Sequence, residues 1–134
     1  MKAVPQIQKY MTAMPHTIGQ NVSIKKALEM LREYQIRHLP VQDSGKLVGV
    51  ITDRDIKLAS SFQGAQEFQV EEVMTPDPYT VSPEAALDEV IQTMAEHKFG
   101  CAIVKQPNGK VVGIYTEIDA YRTLIDLIKA HYKN

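Results

Sequence analysis

The chain contains the stretch GVITDRD at residues 49–55 and repeats it as GIYTEID at residues 113–119. The similarity extends upstream to Met11-Thr12 and Met74-Thr75, and the patterns between these landmarks also match. Such internal repetition indicates that each copy is one supersecondary unit that packs against its neighbour. Two copies of one unit therefore fill nearly the whole chain of 134 residues.

The length of the repeat indicates how the copies are arranged. A unit of about 60 residues buries only about 60% of the surface that its unfolded chain exposes, so each copy gains stability by packing its apolar face on the other. We expect a first unit over residues 1–62 that includes the N-terminal segment, a connector over 63–69, and a second unit over 70–134 with a C-terminal helix. The two units should form a pseudo-two-fold pair in which any binding cleft occurs twice.

Local patterns predict the same elements in each copy. Residues 24–36 place apolar side chains on one helical face, with Ser23 as the N-cap, and the second copy is expected to begin its helix at Ser82-Pro83-Glu84. Two β-rich segments follow in each copy, joined by Asp43-Ser44-Gly45 or Pro107-Asn108-Gly109, which is typical of hairpins. A second helix then begins at the repeated threonine. The sequence thus predicts an α+β fold of two βαββα units.

Composition excludes several classes of partner. The net charge is −1, the pI is near 6.4, and no run of basic residues supplies the positive surface that nucleic-acid binding needs. No apolar stretch has the length of a membrane span, and the N-terminal residues lack the apolar core of a signal peptide. Cys101 is the single cysteine, which fits a reducing compartment. We expect a cytoplasmic protein without a nucleic-acid or membrane partner.

The repeated threonine and aspartate have a chemistry that suits a nucleoside phosphate. A strand that ends at a helix start leaves backbone N–H groups free to attract phosphate, and the hydroxyl of Thr52 or Thr116 adds a donor. Three residues later, the carboxylate of Asp55 or Asp119 can accept hydrogen bonds from ribose hydroxyls. The same spacing also describes a capping box, which stabilises a helix and binds nothing. The sequence leaves both interpretations open.

Several weak motifs, occurring in order and twice, resemble a known family. Residues 36–41 read IRHLPV and precede the stretch at 49–55, while Met74-Thr75-Pro76 opens the second copy and residues 113–119 close it. This arrangement resembles a tandem pair of CBS domains, also called a Bateman module, over about residues 7–132. The resemblance implies a disc-like pair of βαββα units that binds AMP, ADP, ATP or S-adenosylmethionine in the clefts between them. Such modules regulate rather than catalyse.

The resemblance also implies roles for individual residues. In the family, the aspartate of each repeated motif holds the ribose and the threonine lies near phosphate, which corresponds here to Asp55 and Thr52, and to Asp119 and Thr116. The remaining contacts are expected to come from both copies. The Asp119 cleft would use Ile114, Thr17, Ile36 and Arg37, and the Asp55 cleft would use Val50, Thr80, Phe99 and Gly100, with His38 beside Arg37 as a second cation for phosphates.

Each of these assignments has a simpler alternative. Ile36 and Phe99 are equally well explained as core residues, and Arg37 as a solvated surface charge. Because the second copy has Gly100-Cys101 where the first has Arg37-His38, the two clefts should differ in their affinity for phosphate.

Catalysis and metal binding are not expected. Cys101 lies on a predicted apolar strand, where a lone cysteine behaves as a small hydrophobe, so a pairing with His97 as nucleophile and base is disfavoured. The pair Asp53 and Asp55 has no further ligand nearby. The four histidines, His16, His38, His97 and His131, show no metal-ligand spacing. We therefore expect no enzyme and no required cofactor.

Two modes of action are left open. In the first, an adenosine-containing ligand changes the arrangement of the repeats or of a homodimer and thereby the state of an effector protein that acts in trans, since the 134 residues show no attached catalytic, channel or DNA-binding domain. In the second, the clefts are empty and the module only docks another protein. The apolar faces of the helices that follow Asp55 and Asp119 are the expected dimer contacts.

Overall fold

The computed structural model describes residues 2–132, which form two compact units. One unit contains residues 15–78, and the other contains residues 2–14 together with 79–132. In chain order the elements are a 3₁₀ helix (Ile7–Lys9), β1 (Thr12–Ala13), β2 (Ile18–Gly19), α1 (Ile24–Glu33), β3 (His38–Asp43), β4 (Lys46–Thr52), α2 (Asp53–Ala59), a second 3₁₀ helix (Ala65–Glu67), α3 (Val70–Val73), β5 (Thr75–Pro76), β6 (Thr80–Val81), α4 (Leu87–His97), β7 (Cys101–Lys105), β8 (Val111–Thr116) and α5 (Glu117–His131).

Each unit contains one four-stranded mixed sheet. The strand order is β2-β3-β4-β5 in the first and β1-β8-β7-β6 in the second. In both sheets a short strand runs parallel to the first strand of the hairpin, and a second short strand pairs antiparallel with the other strand of the hairpin. The predicted order of strand, helix, hairpin and helix is confirmed in both copies. The α+β class is therefore correct.

One edge strand of each sheet comes from the other copy of the repeat. β1 pairs with β8, so residues 2–14, which include the start of the first copy, belong to the compact unit that contains the hairpin of the second copy. β5 correspondingly pairs with β4. The spatial grouping therefore differs from the grouping by sequence repeat at residues 2–14, because a two-residue strand is placed by the sheet edge that receives its backbone hydrogen bonds rather than by its own pattern.

α1 begins where the sequence predicts and ends earlier than predicted. The Ser23 hydroxyl accepts the N–H of Lys26 at 3.1 Å, which confirms the predicted N-cap. Ile24, Ala27 and Leu31 form its buried face. α1 ends at Glu33 instead of continuing to residue 36, because Gln35 has a φ of 55°, which a right-handed helix cannot contain.

The predicted start of the second-copy helix is wrong. Ser82-Pro83-Glu84 forms a turn, and α4 begins at Leu87 with Ala86 as an N-cap that has no capping side chain. The Leu87 N–H donates instead to the carbonyl of Pro5 at 2.9 Å. A backbone carbonyl from a distant segment thus accepts an N–H group at the start of the helix. A serine nearby in the sequence therefore does not predict where this helix begins.

Both predicted hairpins are present. Ser44 and Gly45 connect β3 to β4 with φ values of 52° and 81°, the positive pair that a two-residue turn matched to the twist of the strands requires. In the other unit Gly109 has a φ of 86° in the loop between β7 and β8.

A separate core stabilises each unit. In the unit of residues 15–78, the buried faces of α1 and α2 pack on Leu39, Val41 and Ile51 of the hairpin. In the other unit, α4 and the 3₁₀ residue Ile7 pack on β7 and on Tyr115 of β8. The hydroxyl of Tyr115 lies 2.9 Å from that of Thr123, so the buried tyrosine keeps a hydrogen-bond partner. These cores hold the ends of β4 and β8 in place.

Candidate functional site

The first repeated motif places Thr52 and Asp55 at the junction of β4 and α2. The Thr52 hydroxyl accepts the N–H of Asp55 at 3.1 Å, and Oδ2 of Asp55 accepts the N–H of Thr52 at 3.0 Å. This reciprocal pair is a complete capping box. The capping interpretation is therefore realised in the structure, and the same two bonds fix the direction of the carboxylate.

The second motif forms the same box with additional contacts. Oδ2 of Asp119 accepts the N–H of Thr116 at 2.9 Å and the Thr116 hydroxyl at 3.3 Å. Its other oxygen, Oδ1, accepts the hydroxyl of Thr12 at 3.2 Å and lies 3.9 Å from the guanidinium of Arg122. Both oxygens of this carboxylate are therefore engaged within the protein.

The two carboxylates consequently differ in their capacity to accept further hydrogen bonds. Asp119 is only 8% exposed, whereas Asp55 is partly exposed. Within residues 2–132, Oδ1 of Asp55 has no hydrogen-bond partner. A carboxylate oxygen without an internal partner is the better acceptor for an incoming hydroxyl. The sequence could not distinguish the two motifs in this respect.

A close backbone approach explains the glycine of each motif. A Cβ at Gly49 would lie 2.6 Å from Sδ of Met74 and 2.8 Å from the carbonyl oxygen of Thr75, and a Cβ at Gly113 would collide with the side chain of Met11. These glycines admit the neighbouring strands β5 and β1. Their presence therefore has a packing cause that is independent of any ligand.

The other predicted residues of the 15–78 unit lie near the same end of its sheet. Thr17 precedes β2, and Val50 is buried in β4. Ile36 and Arg37 follow α1 and line an open groove on this unit, while His38 is the first residue of β3. Ile36 is partly buried against the core, so its packing role is real, whereas Arg37 is exposed.

In the other unit, Phe99 belongs to an aromatic cluster that sequence reasoning missed. Phe99 is 38% exposed, and its ring stacks on Tyr79 at 5.3 Å and on His97 at 5.2 Å between ring centroids. Thr80 follows Tyr79 as the first residue of β6. Gly100 adjoins the cluster in sequence, and Ile114 is buried in β8. A partly exposed aromatic side chain that neighbouring rings hold in place suits contact with a flat base.

The first copy contains a related aromatic pair. The rings of His16 and Tyr34 stack at 3.6 Å with an interplanar angle of 6°. In the repeat alignment His16 corresponds to Tyr79 and Tyr34 to His97, so the same two residue types occur with their positions exchanged. An alignment of the aromatic residues of the two copies would have identified both clusters from the sequence.

The structure brings together the residues of each motif as the sequence predicts, namely Thr52 with Asp55 and Thr116 with Asp119. The expected sharing of each cleft between the two copies draws on residues of both compact units. That part of the site stays a prediction.

Cys101 is the single thiol within residues 2–132, and it is buried. Burial raises the pKa of the Cys101 thiol to about 12, so the thiol stays protonated near neutral pH. In residues 2–132, no three His, Cys, Asp or Glu side chains are grouped so that they could hold a metal ion. None of the helices within residues 2–132 has the length and apolar character of a membrane span.

Comparison with known proteins matches residues 7–61, and again residues 70–126, to the CBS domain. The CBS domain-containing protein YhcV of Bacillus subtilis is 33% identical over 110 residues, which are 81% of this chain and 77% of YhcV. An inosine-5'-monophosphate dehydrogenase of Korarchaeum cryptofilum is 32% identical over 120 residues, which are 90% of this chain but 24% of that enzyme. The chain thus matches only a minor part of the dehydrogenase.

Solved structures with the same fold include two with bound ligands. The CBS domain pair of protein MJ0100, in complex with 5'-methylthioadenosine and S-adenosyl-L-methionine, has a TM-score of 0.86 and 31% identity, covering 93% of this chain and 99% of that one. CBSX2 in complex with AMP has a TM-score of 0.82 and 28% identity, covering 92% of this chain and 98% of that one. All three of these ligands contain adenosine.

Proposed function

Because the chain belongs to the CBS domain family as a tandem pair, a type of module that regulates rather than catalyses, we propose that it senses an adenosine-containing ligand and reports its presence to an effector protein. The ligand is AMP, ADP or ATP, with S-adenosylmethionine as the alternative of the same class. Its ribose hydroxyls donate to Asp55 in one cleft and to Asp119 in the other, and each cleft takes residues from both copies.

The observation that carries this proposal is the preformed carboxylate of Asp55. The capping box holds the side chain in place while Oδ1 keeps free acceptor capacity within the described residues 2–132. Binding to an acceptor that is already oriented saves the ordering cost that a mobile side chain would add. The adenosine complexes of the similar CBS pairs support adenosine as the common part of the ligand.

The charges favour a nucleotide over S-adenosylmethionine. Arg37 is exposed and, within residues 2–132, carries no ion pair, so it is available to a phosphate group. Its counterpart Gly100 has no charge. We propose that Arg37 and His38 serve the phosphates, that Thr52 and Thr116 lie beside them, and that Phe99 and Ile36 flank the adenine.

A second candidate function rests on a different surface. The last helix, α5, exposes large apolar side chains along much of its length, including Tyr121, Leu124 and Ile128. Exposed apolar surface of this extent is typical of a protein contact. We propose that a homodimer forms through this helix in the cytoplasm and that ligand binding alters the dimer, while a ligand-free docking module is the alternative.

Calorimetric titration with AMP, ADP, ATP and S-adenosylmethionine tests the proposal. We expect heat of binding for the wild type, and a loss of the corresponding site in Asp55→Ala and Asp119→Ala. Asp53→Ala and Glu117→Ala are matched controls, because each removes a carboxylate from the same first helical turn without touching the capping box. Thermal unfolding checks that every variant folds.

The outcomes separate the two functions. No heat from any ligand with folded wild type would favour the docking module. Binding that survives both aspartate substitutions would show that the ribose contact is assigned wrongly. Sedimentation of the same samples measures whether the protein is a dimer and whether the ligand changes it.

A further inference from the structure

Residues 11–14 form one edge of the sheet that contains β8, and a side-chain hydrogen bond joins this edge to a carboxylate of the candidate site. The Thr12 hydroxyl donates to Oδ1 of Asp119 at 3.2 Å. The backbone adds the pairing of β1 with β8 and the N–H of Met14, which donates to the carbonyl of Val112 at 3.0 Å. We call residues 11–14 the latch.

The segment before the latch is held by contacts that do not involve Asp119. Ile7 is fully buried in the core of this unit, and its N–H donates to the carbonyl of Ala85 at 2.8 Å. The latch can therefore open while Ile7 stays in the core. Local opening of this kind costs less free energy than unfolding of the whole unit.

The backbone conformation of Met14 favours an open latch. Its φ is 50°, a left-handed conformation that is unfavourable for methionine, and a residue that precedes a proline prefers extended backbone. The matching residue of the second copy, Asp77, has a φ of 49°, but aspartate tolerates this conformation better. Of the two equivalent turns, the one at the latch therefore has the greater backbone strain.

The other compact unit contains an equivalent edge strand that lacks the bond to a carboxylate. Thr75 of β5 matches Thr12 in the repeat and pairs with β4. Within residues 2–132, however, Thr75 donates no hydrogen bond to Asp55. An edge strand of this type thus forms without the side-chain bond. The bond of Thr12 is an additional link between the latch and Asp119.

We propose that a ligand at Asp119 opens the latch, and that this opening is the conformational change that the effector detects. The inference rests on the proposed ribose contact at Asp119. A ribose hydroxyl that donates to Oδ1 replaces the Thr12 hydroxyl, so the ligand binds the open latch more tightly than the closed latch. A ligand shifts a conformational equilibrium only through such a difference in affinity.

The position of the latch suits a role in signalling. Met14 is 72% exposed, so the change occurs at the protein surface. The chain passes from this unit to the unit of residues 15–78 between Met14 and Pro15. Opening of the latch therefore also loosens a connection between the two units. A ligand at Asp119 thereby changes the surface of one unit and its covalent link to the other.

Amide hydrogen exchange of the full chain, measured by NMR, tests the proposal. Asp55→Ala is the background, so that binding at Asp119 is measured alone, and AMP, ATP and S-adenosylmethionine are added in turn to saturation. We expect the Met14 N–H to exchange about tenfold faster with bound ligand, as expected when a hydrogen bond to a charged group is replaced. The Ile7 N–H should exchange no faster, because it lies outside the latch and the ligand stabilises the folded state.

Variants at Thr12 test the latch without a ligand. Thr12→Val should accelerate exchange of the Met14 N–H several-fold, and a ligand should then accelerate it little further. Thr12→Ser keeps the hydroxyl and should behave like the background. Thr75→Val is the matched control, because it makes the same change where no bond to a carboxylate exists, and it should leave Met14 unchanged. Both threonines are exposed, so the variants should fold, and thermal unfolding checks this.

The outcomes separate the latch from the proposed function. Binding to the background variant without faster exchange at Met14 would overturn the latch and leave the ligand site in place. No binding of any of the three ligands to that variant would overturn both the latch and the ligand site at Asp119. Equal acceleration at Met14 and Ile7 would show that the whole N-terminal segment loosens, which also contradicts the latch.

Discussion

The hydroxyl of Thr12 donates to Oδ1 of Asp119 at 3.2 Å, across 107 positions of sequence. Its repeat counterpart Thr75 makes no such bond to Asp55 within the described residues 2–132. The two motifs are therefore equivalent in sequence but not in hydrogen bonding. In the proposed function, a ligand hydroxyl would compete with Thr12 at Asp119, whereas Oδ1 of Asp55 has no partner within residues 2–132.

Removal of that competition should strengthen binding at Asp119. In an Asp55→Ala background, Thr12→Val is expected to raise the affinity for AMP by a few-fold, because Oδ1 of Asp119 is released. The same change should lower the free energy of unfolding by about 1 kcal/mol through the lost hydrogen bond. Calorimetry and urea unfolding measure the two effects. Thr75→Val is the matched control and should not change binding. A weaker affinity in Thr12→Val would contradict the competition.

The capping boxes should contribute to stability without any ligand. Thr52→Ala removes the acceptor for the N–H of Asp55 and is expected to cost about 1 kcal/mol. Thr52→Ser keeps the hydroxyl and should cost less than half of that. Urea unfolding of the ligand-free protein measures both. Equal losses in the two variants would mean that the methyl group of the threonine, rather than its oxygen, is what matters.

The two motif glycines should differ in their tolerance of alanine. Gly49→Ala places a Cβ against the backbone carbonyl of Thr75, which cannot move without disturbing the pairing of β4 and β5, and should cost about 1–3 kcal/mol. At Gly113 the three atoms nearest to an added Cβ all belong to the flexible side chain of Met11, so Gly113→Ala should cost less. Urea unfolding measures both losses. Addition of Met11→Ala should relieve Gly113→Ala, and addition of Met74→Ala should leave most of the loss at Gly49. The reverse order of costs would argue against this account.

The buried thiol should make stability depend on alkaline pH. Burial raises the pKa of Cys101 from 9.0 to about 12, so the unfolded chain loses this proton first as the pH rises. Its contribution is complete below about pH 9 and declines by up to about 1.4 kcal/mol per pH unit until about pH 12. Cys101→Ala lacks this contribution. The difference in unfolding free energy between wild type and variant should therefore shrink from pH 8.5 to 10.5, and a constant difference would mean that the thiol titrates normally.

Sequence alone determined the parts of this protein that depend on neighbouring residues. The repeat predicted the order of elements, Ser23 predicted the start of α1, and the spacing of Thr52 and Asp55 predicted a capping box, because these features involve partners within four residues. The predicted cap at Ser82 was wrong for the complementary reason. Its helix begins later and is satisfied by the carbonyl of Pro5, more than eighty residues away.

Only the tertiary structure shows which segments far apart in the sequence contact each other. The contact of Thr12 with Asp119 depends on β1 joining the sheet of the second repeat, and a two-residue strand has too little pattern to predict its partner. The open groove between α1 and α2 likewise depends on the packing of these two helices, which brings together Arg32, Arg37, Arg54 and Lys57 from separate parts of the sequence. Local residue types thus determined the repeated unit. The difference between its two copies came from the long-range contacts that only folding brings about.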